Sequence, residues 1–123
     1  MLTFDLPWPN PKLNPNRSKG AHWSAGAALR KKARNDSGVI TRRAMLAAIA
    51  YYPELATKNT LKLSIVFVQP DRRARDRDNL LAALKPSIDG IADALLINDS
   101  QFDPVTISRE YGTRPGYVRV TIG

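Results

Sequence analysis

The chain has 123 residues, 43% of them hydrophobic, with no cysteine, one histidine and a formal charge of +8. That size fits a single domain over residues 1–123 with a modest core. It excludes disulfide scaffolds, thiolate zinc sites and cysteine catalysis, and the lone His22 argues against a histidine-rich metal site or a Ser–His–Asp triad. The charge is uneven: residues 1–43 carry nine basic and two acidic side chains, residues 44–123 ten and nine. A basic half beside a balanced half points to a polyanionic partner, nucleic acid first.

Leu2, Phe4 and Leu6 alternate and predict a short strand. Residues 7–22, with four prolines and three asparagines, read as a long loop. Ser24 is an N-cap candidate for a helix over 25–51. Leu29, Ala33, Ile40, Ala44, Ala47 and Tyr51 form its apolar face, and Arg30, Lys31, Lys32, Arg34, Arg42 and Arg43 lie opposite. Gly38 predicts a weak middle and Pro53 a stop.

Residues 60–69 (TLKLSIVFVQ) predict a buried strand ending at Pro70, followed by the polar run 71–78 (DRRARDRD). Asn79 is a cap candidate for a second helix with a stripe of Leu80, Leu84, Ile88, Ile91 and Leu95. Pro86 and Gly90 are predicted to kink or end it early. Turn residues at 98–104 then lead to strands at 105–110 and 117–122, joined as a hairpin through YGTRPG. The order β-α-β-α-β-β predicts an α+β fold with one mixed sheet backed by helices.

The chemistry concentrates in Asp76-Arg77-Asp78-Asn79-Leu80, with Asp99-Ser100 some twenty residues on. In extended chain Asp76 and Asp78 point the same way. Clustered hard carboxylates without histidine or cysteine suit Mg2+ or Mn2+, and surrounding arginines suit a phosphodiester. The plain alternative is a solvated charged loop with ordinary ion pairs. Asp99 can rejoin the other two only if the helix ends near Gly90. A helix persisting to Leu96 rises about 25 Å and leaves Asp99 for a partner subunit or for no site.

The string PDRRARDRDNLLAALKPSIDGIADALLINDSQ at 70–101 resembles the core motif of RusA-type Holliday junction resolvases, small endonucleases often encoded by phages and prophages. The opening LPWPNPKLNPNRSKGAHW is similar to that family's Pro/Asn-rich start. The resemblance implies catalytic, metal-holding roles for Asp76, Asp78 and Asp99, with Asn98 replacing an aspartate. A family lysine falls at Ala82 here, and Lys85, one turn on, is the candidate replacement. The resemblance also implies Mg2+-dependent hydrolysis, a homodimer, and a four-way DNA junction as the substrate of recombination and repair.

On this reading DNA is held mainly by Arg72, Arg73, Arg75 and Arg77, with Asn79, then by the basic face of the first helix and by Arg17, Lys19 and His22 from the loop. Trp8 and Trp23 read as lids on the core, and Tyr51, Tyr52 and Phe102 as packing or dimer contacts. The alternatives are a non-catalytic nucleic-acid-binding module, a nuclease of other branched DNA, and a basic structural or virion protein. No apolar run approaches about 18 residues, and MLTFDLPWPN lacks a secretion-signal pattern. The expectation is a cytoplasmic protein without a membrane partner.

Overall fold

A computed structural model describes residues 1–14, 23–48 and 58–123 of the chain, without the side chains of 23–25. Four strands and two long helices follow the predicted order: β1 (Leu2–Pro7), α1 (Trp23–Ala47), β2 (Leu61–Gln69), α2 (Arg77–Leu95), β3 (Phe102–Tyr111) and β4 (Tyr117–Ile122). Single 3-10 turns at Pro11–Leu13 and Asp99–Gln101 precede α1 and β3. The fold is α+β, with one mixed four-stranded sheet. Arg17, Lys19, His22, Tyr51, Tyr52 and Pro53 lie outside the described residues, as do the side chains of Trp23 and Ser24.

The sheet order is β1-β4-β2-β3. β4 runs antiparallel to both β1 and β2, whereas β2 and β3 are parallel. The predicted hairpin is therefore corrected, because β2 lies between β3 and β4. Their connection crosses the end of β2, where the Gly112 N–H donates to the Gln69 carbonyl at 2.8 Å. Gly116 lies against Pro70 with φ +74°, and a Cβ there would sit 2.9 Å from the Pro70 ring. That backbone conformation favours glycine.

Alternation decides the faces. Leu63, Ile65 and Phe67 of β2 and Val118, Val120 and Ile122 of β4 are fully buried against Leu84, Ile88 and Ile91 of α2. Their neighbours Lys62, Tyr117 and Arg119 take the other face, as a two-residue period requires. β3 departs from this pattern. Of its ten residues only Phe102 is buried and only Ile107 is half-buried.

Gly38 and Gly90 do not break their helices. α1 is one continuous helix of 25 residues, and α2 runs through both Pro86 and Gly90 to Leu95. Both glycines are buried where the helices cross. A Cβ on Gly90 would lie 2.1 Å from the Arg34 carbonyl oxygen and 2.1 Å from Ser37 Oγ. Ser37 Oγ donates across the crossing to the Ser87 carbonyl at 2.6 Å, and Thr41 donates back to the Ser37 carbonyl at 2.7 Å. The small residues are there to bring two backbones together. α2 ends on Leu96, a left-handed residue (φ 59°, ψ 40°) that is 83% exposed. Leucine is an unusual choice for that conformation, which glycine usually fills.

Gly90→Ala should therefore destabilise the fold by about 1–3 kcal/mol, the usual range for overpacking a tight interior. Chemical denaturation measures this, and a neutral result would show that the crossing can open without cost.

Candidate functional site

β2 delivers the chain into the 71–76 loop, and buried Gln69 holds that loop in place. Its side-chain amide, 2% exposed, donates to the carbonyls of Arg73 at 3.0 Å and Asp71 at 3.4 Å. Asp71 then gathers the basic residues. It accepts from the Arg73 N–H and guanidinium at 3.0 Å and from Arg75 Nη1 at 2.8 Å. The Arg75 and Arg73 hydrogen bonds hold the Asp71 carboxyl well below the ordinary carboxylate range. Arg75 also lies over the Trp8 ring at 5.4 Å, and Arg72 over Tyr111 at 5.1 Å.

The four arginines of the loop are therefore unequal. Arg73 and Arg75 are partly neutralised by Asp71, Arg72 is stacked, and Arg77 has no ion pair among the described residues. Gln69 and Asp71 were not singled out from the sequence. The Asp-x-Arg-x-Arg spacing at 71–75 was the available signal for the second.

The loop closes on Asp76, which caps α2 in place of the predicted Asn79. Its carboxylate accepts from the Asp78 N–H at 2.8 Å, in extended backbone (φ −77°, ψ 127°). An aspartate N-cap satisfies an orphan amide and complements the helix dipole. Both Asp76 and Asp78 are exposed, and neither has a cationic partner among the described residues.

One cavity lies at the start of α2 and another along its middle. One, of about 310 Å³, is bordered by Trp8, Asn10, Arg73, Arg75, Asp76 and Asn79. The other, of about 530 Å³, is bordered by Lys12, Arg30, Lys31, Arg34, Lys85 and Asp89 among others. Ala82 and Lys85 line this second cavity together. Asp78 heads the same helical stripe, one turn before Ala82 and two before Lys85.

Asp99 lies elsewhere. α2 persists to Leu95, so the early helix end that Asp99 required is absent. The Lys85 ammonium donates to Asp99 and, at 2.8 Å, to Asp89. The Lys85 hydrogen bond lowers the Asp99 pKa. For Lys85, burial pulls its pKa down, but the two carboxylates outweigh it and the net change is upward. Arg34 adds a bidentate bridge to Asp93 at 2.6 and 2.8 Å, which lowers the Asp93 pKa. Lys85 sits about 10 Å along the helix from Asp78. Among the described residues no three acidic or histidine side chains are grouped closely enough for one metal ion.

The structure thus defines an α+β protein with two exposed aspartates at a helix head, Asp76 bordering one basic-lined cavity and a second such cavity lying further along the helix. No protein-family model matches the chain. It is 37% identical over 122 residues to a protein of Xylella fastidiosa (strain Temecula1) described as uncharacterized, covering 99% of this chain and 76% of that one, and it belongs to that protein's family. No described helix is long and apolar enough to cross a membrane.

The lowered pKa values of Asp71, Asp93 and Asp99 have a measurable consequence. Depressed folded-state values stabilise the fold above the ordinary carboxylate pKa of 3.8, and that contribution is lost as pH falls below it. Denaturation midpoints should drop on acidification from pH 5, and Asp71→Asn should make that drop shallower. An unchanged acid limb in the variant would remove Asp71 as a source.

Proposed function

We propose that the chain is a metal-dependent endonuclease of branched DNA, with the four-way junction as its substrate. The observation that carries this reading is the Asp76–Asp78 pair. Two hard carboxylates stand exposed at the head of α2, without cationic partners among the described residues, and Asp76 borders a cavity that Arg73 and Arg75 also line. DNA phosphates would follow Lys12, Arg30 and Lys31 on one side and Arg73 and Arg75 on the other. Such contacts give affinity and steep salt dependence but little base readout. Arg77, with its neighbour carboxylates, would face the phosphate nearest the helix head.

The fit to Mg2+ is partial within one chain. Among the described residues three carboxylates do not gather, but Mg2+ is often held by one or two carboxylates, with water and substrate phosphate completing its shell. Asp76 and Asp78 meet that requirement as donors. When bound, Mg2+ or Mn2+ would supply an activated water and neutralise charge on the scissile phosphate. Asn79, on the cavity wall beside Asp76, would orient the phosphate. Lys85, on the Asp78 stripe, would exchange a carboxylate partner for a phosphate oxygen. Asp99 would complete the site of a second copy in a homodimer.

A second reading has its own support: Asp76 already has a structural task as N-cap, as it would in a non-catalytic nucleic-acid-binding module. Substitution separates the two. Asparagine caps as well as aspartate, whereas alanine costs about 1 kcal/mol. Asp76→Asn should therefore retain stability, abolish junction cleavage in Mg2+, and keep or tighten junction binding. Full cleavage by Asp76→Asn or Asp78→Asn would sink the nuclease assignment. Tight binding without incision by the unaltered protein would select the binding module.

Asp99→Asn mixed with an Asp76→Asn/Asp78→Asn chain gives a further check. If Asp99 serves the other copy, mixed dimers should nick the junction where neither variant alone does.

A further inference from the structure

We infer that the cavity between the Pro11–Leu13 turn, α1 and α2 is a binding site for a phosphomonoester of nucleotide size. Its volume is about 530 Å³, within the range of roughly 300–1,000 Å³ usual for small-molecule sites. The turn packs against both helices and makes the third wall. Asn10 fixes the turn by accepting from the Lys12 N–H at 2.9 Å. Leu13 of the turn and Ala82 and Pro86 of α2 supply an apolar side, and the rest of the wall is charged. The short side chain of Ala82 leaves the cavity open on α2, and a longer one there would take up part of it.

The charge of the wall selects the ligand. Among the described residues Lys12, Arg30, Lys31, Arg34 and Lys85 border the cavity against one carboxylate, Asp89. Two of these cations are already engaged: Arg34 bridges to Asp93, and Lys85 donates to Asp89 and Asp99. Arg30 lies back over Gly26, whose missing side chain leaves room for the guanidinium; a Cβ there would sit 2.7 Å from Arg30 Nη1. Lys12 and Lys31 are exposed and have no acidic partner among the described residues. Two uncompensated ammonium groups match a phosphomonoester, which carries about −1.5 to −2 charge at neutral pH.

Shape points the same way. The cations come from three elements, so they approach a bound group from different sides. A monoester offers three terminal oxygens in different directions, whereas a carboxylate offers two in one plane. A phosphodiester within a duplex carries a single charge and continues on both sides, so it suits a groove better than a pocket. The apolar side at Leu13, Ala82 and Pro86 leaves space for the sugar or base that bears the phosphate. Two sources share this chemistry: a free nucleotide and a phosphorylated strand terminus. The second rests on the proposed nuclease reading, but the site itself requires no cleavage.

Titration calorimetry of the full chain without metal tests the site. Thymidine 5′-monophosphate should bind once per chain, inorganic phosphate more weakly, and thymidine not at all. Lys31→Glu should weaken the nucleotide about tenfold or more, the loss of one charge-assisted hydrogen bond. Ala82→Leu, which fills part of the cavity, should weaken it as well. Both positions are exposed, so neither change disturbs the core, and circular dichroism checks this. Lys62→Glu makes the same charge change on the other face of the sheet and should have no effect. A short oligonucleotide with and without a 5′-phosphate separates the sources: tighter binding of the phosphorylated form identifies a strand terminus, and equal binding of the two forms, with the mononucleotide still bound, identifies a free nucleotide. No nucleotide binding, equal binding of thymidine and its monophosphate, or affinity that Lys31→Glu and Ala82→Leu leave unchanged overturns the site. Absence of junction cleavage with nucleotide binding intact would remove the nuclease reading and keep the site.

Discussion

The backbone contact between α1 and α2 at Gly90 governs much of this molecule. With no side chain there, the Arg34 carbonyl and Ser37 hydroxyl of α1 approach α2 directly. The serine then bonds a carbonyl of the facing helix. That approach sets the spacing of everything on the outer faces of the pair. It brings Arg34 within reach of Asp93, and it makes Arg30, Lys31, Lys85 and Asp89 borders of one cavity. A wider crossing would separate the cations of α1 from the carboxylates of α2 and dissolve that cavity's charge pattern.

α2 also acts as a spacer between acids. Asp76 and Asp78 sit at its head, and Lys85 holds Asp99 two turns further on. The lysine is the natural counter-ion for Asp89 and Asp99 in an isolated chain, and its net upward pKa shift reflects that task. On the proposed reading this pairing is a resting arrangement. A phosphate entering the basic cavity would compete with both carboxylates for the same ammonium. The head of the helix needs no such release, since Asp76 and Asp78 already face solvent.

The order of elements was legible because alternation and helical spacing are local properties. β2 and the apolar stripe of α2 were visible in that way. The hairpin was misread because strand adjacency is set by distant pairing: β2 enters between β3 and β4 although it precedes both by many residues. The early end expected of the second helix at Pro86 and Gly90 does not occur, since composition does not distinguish a breaker from a glycine kept small for a neighbour. The aspartates and arginines were legible as residue types, but their partners were not. Asp71 as the organiser of Arg73 and Arg75, and Gln69 as the anchor beneath it, depend on a loop path that spacing alone does not reveal. The same holds for Lys85, whose place beside Ala82 followed from helical geometry while its hold on Asp99 did not.

The place of β4 in the sheet has a further consequence for how the chain acquires its structure. Among the described residues β1 meets no strand except β4, and Leu2 lies opposite Ile122. Until residues near 120 are in place, the apolar side of β1 has no ladder to join. During synthesis β1 must therefore wait for β4, and until then β1 and the β2–β3 pair remain separate pieces. Closure by β4 is the step that makes folding cooperative, since it joins β1 to the β2–β3 pair at once.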